Sequence, residues 1–159
     1  MRIINGKLLT MEEKSFEQGF IEFNNGKIIS LGDMKEIIPE KGDIDAKGGY
    51  VLPGFIDAHT CLGLKEESNR YEGVDWNETS SPITPQMNAL DGFNPLDGAV
   101  PYALNGGVTT VVVVQGNSNL IGGQAAAIKL AGSNPWKMVI KNPCAIKISL
   151  GEEPKLTYA

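Results

Sequence analysis

The sequence predicts an α/β chain, a small β unit followed by the start of a βα repeat. Three observations point there. The first fifty residues alternate short β-prone runs with turn signals. From Tyr50 an apolar run, Tyr50-Val51-Leu52-Pro53-Gly54-Phe55-Ile56, ends in the polar group Asp57-Ala58-His59. Further on, Val108-Thr109-Thr110-Val111-Val112-Val113-Val114 is apolar or β-branched on both alternating faces, as a buried parallel strand is.

In the β unit, residues 20–23 and 27–31 read as strands. Asn24-Asn25-Gly26 joins them as a hairpin turn, because Asn and Gly adopt positive φ at little cost. Gly32-Asp33 ends the second strand, and residues 34–40 suggest one helical turn stopped by Pro39. Residues 43–46 suggest a further strand, broken by Gly48-Gly49. In the second part, residues 55–59 form a parallel-type strand. A long polar loop, residues 65–84, follows. Residues 97–105 read as a helix with Asp97 as N-cap and Gly106-Gly107 as the stop. Strand, loop, helix and strand in that order make a βα unit. Residues 125–131 fit a strand or a helix, and residues 144–150 read as a third strand.

Composition narrows the function classes. Hydrophobic residues make up 42% and charged residues 21%, which suits a globular chain and not a disordered one. The net charge of -5 and the scattered Lys and Arg argue against a nucleic-acid partner. No apolar window reaches about 18 residues, so no membrane span is expected. The first residues lack the apolar core and cleavage site of a signal peptide. Cys61 and Cys144 lie far apart and suggest no disulfide framework, so a cytoplasmic setting is expected.

The candidate site is Asp57-Ala58-His59-Thr60-Cys61. Alternate side chains of a strand share a face, so Asp57, His59 and Cys61 point one way at the strand's C-terminal end. That is where βα architectures put active sites. His59 and Cys61 would reach one metal ion, and zinc accepts both ligand types, with Asp57 as their hydrogen-bonding support. Taken alone, a His beside a Cys also fits ordinary packing. The loop acids Glu66, Glu67, Glu72, Asp75 and Glu78 fit a solvated surface or contact with substrate. Trp76 fits a pocket wall or a loop anchor. Gly122-Gly123-Gln124 reads as a tight turn, and Cys144 as a small core residue.

The segment Val51-Leu52-Pro53-Gly54-Phe55-Ile56-Asp57-Ala58-His59-Thr60 resembles the first barrel strand of the amidohydrolase superfamily. That family carries Pro-Gly-hydrophobic-Ile-Asp-x-His-x-His there, with both histidines on metal. Asn25-Gly26-Lys27-Ile28 resembles a hairpin of the family's β-sandwich. Ala103-Leu104-Asn105-Gly106-Gly107-Val108-Thr109-Thr110 resembles its passage from helix 1 to strand 2. Ile121-Gly122-Gly123-Gln124 and Gly151-Glu152-Glu153-Pro154-Lys155 resemble an imidazolonepropionase-like subgroup.

The resemblance implies an N-terminal part of a β-sandwich over residues 1–52. It implies the first two to three βα units of a TIM (β/α)8 barrel over residues 53–159. It further implies hydrolysis of carbon-nitrogen bonds other than peptide bonds in cyclic amide-like substrates. A divalent metal, zinc first, would be held by His59 and Cys61 with Asp57 behind them. Glu66, Glu67 and Trp76 would lie on the substrate-side loop.

Two departures qualify this. Cys61 stands where the family has its second histidine, and a thiolate makes a bound water less acidic than imidazole does. The family's remaining ligands come from later strands: a carboxylated lysine or a glutamate, two histidines and an aspartate. This sequence has a single histidine, and a whole barrel needs about 250 residues. The chain alone is therefore expected to be inactive. It is also expected to expose strand edges, with residues 111–114 lacking a neighbour on at least one side. Self-association, a complementing chain or partial disorder would follow. The alternatives are a non-catalytic relative that binds a partner, and a small metal-binding module built on His59 and Cys61.

Overall fold

The computed structural model describes residues 1–67 and 71–159. Of the long polar loop, residues 68–70 lie outside the described residues. The chain divides into two compact units, Met1–Pro53 and Gly54–Ala159.

The first unit is a sheet built on β1 (Arg2–Leu8). β2 (Phe16–Asn24) pairs antiparallel with β1, and β3 (Lys27–Asp33) antiparallel with β2. β4 (Ile44–Asp45) and β5 (Tyr50–Val51) both pair parallel with β1. The β2–β3 turn is the expected one, with Asn25 at φ 49° and Gly26 at φ 74°. The expected helical turn is a 3-10 turn over Met34–Glu36, with Asp33 Oδ1 accepting the Lys35 N–H at 2.9 Å. Ile4, Leu8 and Phe20 are buried in this unit. Arg2 donates from Nε to Asp43 Oδ1 at 2.9 Å and from Nη2 to Asp43 Oδ2 at 2.8 Å, tying β1 to the 38–43 loop. This forked geometry explains why the Asp43 carboxyl sits below its ordinary pKa, with the Glu40 N–H adding to the effect.

The second unit holds β6 (Phe55–Thr60), β7 (Val108–Val113), β8 (Ile121–Lys129) and β9 (Val139–Ile148), in that spatial order. β6 and β7 are parallel. Their connection contains α1 (Ala89–Gly92) and α2 (Ala99–Asn105). β7–β8 and β8–β9 are antiparallel, so the parallel βα pattern extends over the first step alone among the described residues. Residues 125–131, open between strand and helix, fall mostly in β8. The core gathers Val111, Val113, Ala126 and Ile128 of the sheet with Leu64, Leu90, Phe93, Val100 and Met138. No helix among the described residues is long and apolar enough to cross a membrane.

Three expectations are corrected here. Residues 111–114 do not form an open edge, because β7 is paired on both sides; the edges are β6 and β9. Gly122-Gly123-Gln124 is no turn but part of β8. The two glycines let neighbouring groups approach, since a Cβ at Gly123 would lie 2.3 Å from the Met87 carbonyl oxygen. The helix cap is displaced by one residue: Gly98 is the N-cap, while Asp97 Oδ1 accepts the Ala99 N–H at 3.2 Å.

Candidate functional site

Residues 55–59 form a strand as the apolar run dictates, and β6 delivers Asp57 and His59 to one face near its C-terminal end. Cys61 follows directly, where the chain turns and Leu64 N–H bonds the Cys61 carbonyl at 2.9 Å. Asp57 does not reach the His59 ring. Its Oδ1 accepts the backbone N–H of His59 at 3.1 Å, a local bond across two residues.

The His59 ring has a partner that sequence reasoning missed. Lys147 Nζ lies 2.8 Å from His59 Nε2, bridging β6 to β9, the two edges of the sheet. Lys147 was hidden because its assignment as a site residue depends on how the sheet curves. One signal was present: it interrupts the apolar run Ala145-Ile146-Lys147-Ile148. As an ammonium it donates to the Nε2 lone pair. That lone pair is also the one a metal ion would take. Burial pushes the Cys61 thiol above its ordinary pKa, and the nearby charges of Lys147 and Lys65 act against this. A thiol held neutral is a poorer ligand than a thiolate.

Among the described residues no three His, Cys, Asp or Glu side chains converge as a metal cluster. His59 and Cys61 have the donor chemistry zinc accepts. They supply two donors where a catalytic zinc takes about three from protein, and one of the two faces a lysine. The residues present therefore do not by themselves fit the metal, and no chemical step follows through it.

The loop residues separate. Glu66 Oε1 accepts from Asn94 Nδ2 at 2.7 Å, and the Glu67 N–H reaches Asp97 Oδ1 at 3.3 Å. Asp97, 3% exposed, also accepts the Gly63 N–H at 3.3 Å, so this carboxylate holds the loop to the start of α2. Trp76 packs on the core, its carbonyl accepts the Gly116 N–H at 2.7 Å, and Lys65 Nζ stands 5.0 Å from its ring centre. This geometry is that of an anchor. Cys144 is half-buried on β9.

No family model matches the chain. An amidohydrolase of Hapsidospora irregularis, tasK, is 37% identical over 95 residues, covering 59% of this chain and 10% of that protein. The imidazolonepropionase of Thermoanaerobacter pseudethanolicus is 41% identical over 49 residues, 31% of this chain and 12% of its own. Adenine deaminase 1 of Oenococcus oeni is 36% identical over 59 residues, 37% of this chain and 10% of its own. The chain thus spans about a tenth of the curated relatives it matches. A solved amidohydrolase from Thermotoga maritima MSB8 superposes with a TM-score of 0.87 at 38% identity, over 99% of this chain and 40% of that one. In fold and in sequence the chain is thus similar to part of an amidohydrolase.

Proposed function

We propose that the chain carries one side of a metal-dependent amidohydrolase site, acting on carbon-nitrogen bonds other than peptide bonds in cyclic amide-like substrates. In this reading residues 1–52 are part of a β-sandwich, and residues 53–159 hold the first parallel strands of a (β/α)8 barrel, β6 and β7, with β8 and β9 as an antiparallel addition to them. With ligands from further strands, His59 and Cys61 would hold a divalent metal, zinc first, and Asp57 steadies the backbone at His59. Glu66 and Glu67 lie on the substrate-side loop, which Trp76 anchors to the core. The single observation that carries the reading is the placement of Asp57 and His59 on one face at the C-terminal end of β6, with Cys61 following directly. The likeness to the Thermotoga amidohydrolase over 99% of the chain supports it. Hydrolysis requires further strands, in cis or from a complementing chain, because a catalytic zinc takes about three protein ligands and an open position.

Metal content by elemental mass spectrometry tests this. The experiment uses the chain with and without a polypeptide covering the part of the Thermotoga amidohydrolase that it does not match. Near-stoichiometric zinc on complementation, lost in His59→Ala, is expected. Zinc retained in both His59→Ala and Cys61→Ser, or absent after complementation, would overturn the assignment.

A second reading is a non-catalytic binding protein. The lysine on His59 Nε2 and the Cys61 thiol held neutral by burial favour it. It expects His59→Ala to leave partner binding intact.

A further inference from the structure

We propose that Asp97 is a positioning residue for Cys61: its buried carboxylate fixes the turn over residues 61–67 and so holds the thiol at the C-terminal end of β6. The placement stands on geometry alone. Its meaning for chemistry rests on the hydrolase reading, in which Cys61 is a metal-side group.

Cys61 lies between two fixed points. Before it, the Thr60 carbonyl accepts the Val114 N–H at 2.9 Å, which seats the end of β6 beside β7. After it, the chain turns over residues 62–64 and buries Leu64 in the core. Gly63 docks this turn onto the segment before α2. Its φ of 73° is a left-handed value that glycine adopts at little cost. A Cβ there would lie 2.6 Å from the Phe93 ring, so the two segments are in close contact. The Gly63 carbonyl accepts the Asn94 N–H at 2.8 Å, and the Gly63 N–H reaches Asp97 Oδ2 at 3.3 Å.

Asp97 gathers three donors. Besides Gly63 on Oδ2, its Oδ1 accepts the Glu67 N–H at 3.3 Å and the Ala99 N–H at 3.2 Å. Among the described residues every hydrogen bond this carboxylate accepts comes from a backbone N–H. Both oxygens act as acceptors, so an amide does not replace it: Asn would turn an NH2 group toward one set of donors. A buried charge costs desolvation, and a satisfied buried group of this kind holds its neighbours in one arrangement. Two of the three donors follow Cys61 in the chain. Release of the carboxylate frees both together, so the turn opens and uncovers the half-buried thiol.

The full 159-residue chain and its Asp97→Asn variant would be alkylated with iodoacetamide and followed by mass spectrometry at Cys61 and Cys144 separately. Cys144, half-buried on β9, is the internal reference. Cys61 should alkylate about tenfold faster in Asp97→Asn, the change expected for one lost hydrogen bond to a charged group. Cys144 should stay within about twofold of the parent, because the opening is local. Hydrogen exchange at the Gly63 N–H should rise with the Cys61 rate. Ile128→Val, a loss of core packing in the same unit, should leave the ratio of the two cysteine rates unchanged. Equal acceleration of both cysteines, or an unchanged Cys61 rate in a folded Asp97→Asn chain, would overturn the proposal. If that variant does not fold, the parent chain decides: Cys61 alkylation and Gly63 exchange should respond alike to low urea. A Cys61 that reacts freely while the Gly63 N–H stays protected would overturn it. Metal content of the complemented chain keeps the two readings apart. Zinc bound with no Asp97 effect on Cys61 removes this inference alone; the Asp97 effect without zinc removes the hydrolase assignment alone.

Discussion

Gly123 is the position where one added methyl group should cost most for its size. Its own φ does not demand glycine, so Gly123→Ala tests packing and not backbone strain. The new Cβ would lie 2.0 Å from Gln115 Nε2 and 2.3 Å from the Met87 carbonyl oxygen. Gln115 can swing away, at the loss of the bond its Oε1 accepts from the Gly123 N–H. Met87 cannot yield so easily. Its carbonyl also accepts the Gln124 N–H at 2.7 Å, and the next residue, Asn88, bridges to Gln124 and caps α1. Retreat of this segment loosens Ala89 and Leu90, each 2% exposed in the core. Overpacking costs about 1–3 kcal/mol. A lost hydrogen bond adds about 1 kcal/mol. The reduced chain entropy of alanine returns about 0.5–1 kcal/mol. The net is a destabilisation of about 1–3 kcal/mol. Both tryptophans, Trp76 and Trp136, lie in the second unit, so their fluorescence reports on that unit. With a urea slope of about 1–1.5 kcal/mol/M, the midpoint should fall by roughly 0.7–3 M. Gly151→Ala is the control, because nothing lies within 4 Å of its Cβ position. A Gly123→Ala midpoint within about 0.3 M of the parent would refute the packing argument.

Two further perturbations concern ionisation. Asp43 sits below its ordinary pKa chiefly through the Arg2 guanidinium, so its stabilising effect is present above the unfolded-state value of about 4 and is lost as pH falls through the lower folded value. Asp43→Asn should flatten this part of the acid unfolding curve of the first unit, read by amide NMR; an unchanged curve would count against it. Cys61, raised chiefly by burial, should alkylate with iodoacetamide more slowly at pH 8 than an exposed thiol, and Lys147→Met should slow it further by removing an opposing charge. Faster alkylation in Lys147→Met, followed by mass spectrometry, would reverse the sign of that argument.

How much was legible in the sequence depends on how local each signal was. The Asn25-Gly26 turn, the strand ending at Thr60, the Gly106-Gly107 stop and the Val108–Val113 strand are all written in contiguous residues, and all formed. β1 went unplaced because Asn5, at φ 55°, and Gly6 break its alternation where the pairing register with β2 shifts. The direction of β8 and β9 was invisible, since the side-chain period of a strand is the same whether its pairing is parallel or antiparallel. At the site, Asp57, His59 and Cys61 were readable because strand periodicity joins them. Lys147, 88 residues from His59, was not, because only the folded sheet makes them neighbours.

The open edge of β9 gives the last prediction. β9 is the longest strand, ten residues at the margin of its sheet, with one row of backbone groups unpaired. Its Ile140, Ile146 and Ile148 are 58%, 54% and 58% exposed, so apolar surface accompanies the free edge. Lys141, Pro143 and Lys147 guard this edge in part, and the exposed isoleucines beside them are the surface on which another strand would pack. Covering one isoleucine contributes about 1.5–3 kcal/mol, roughly a tenfold or larger change in an association constant. Ile146→Lys places a charge there and should raise the concentration for half-association by at least that factor, measured by sedimentation velocity. Ile29→Lys, on β3 of the other unit and 58% exposed, controls for the general effect of added charge. A parent chain that stays a monodisperse monomer at every concentration, or two lysine variants that shift association equally, would show that β9 is not the surface through which this chain meets another.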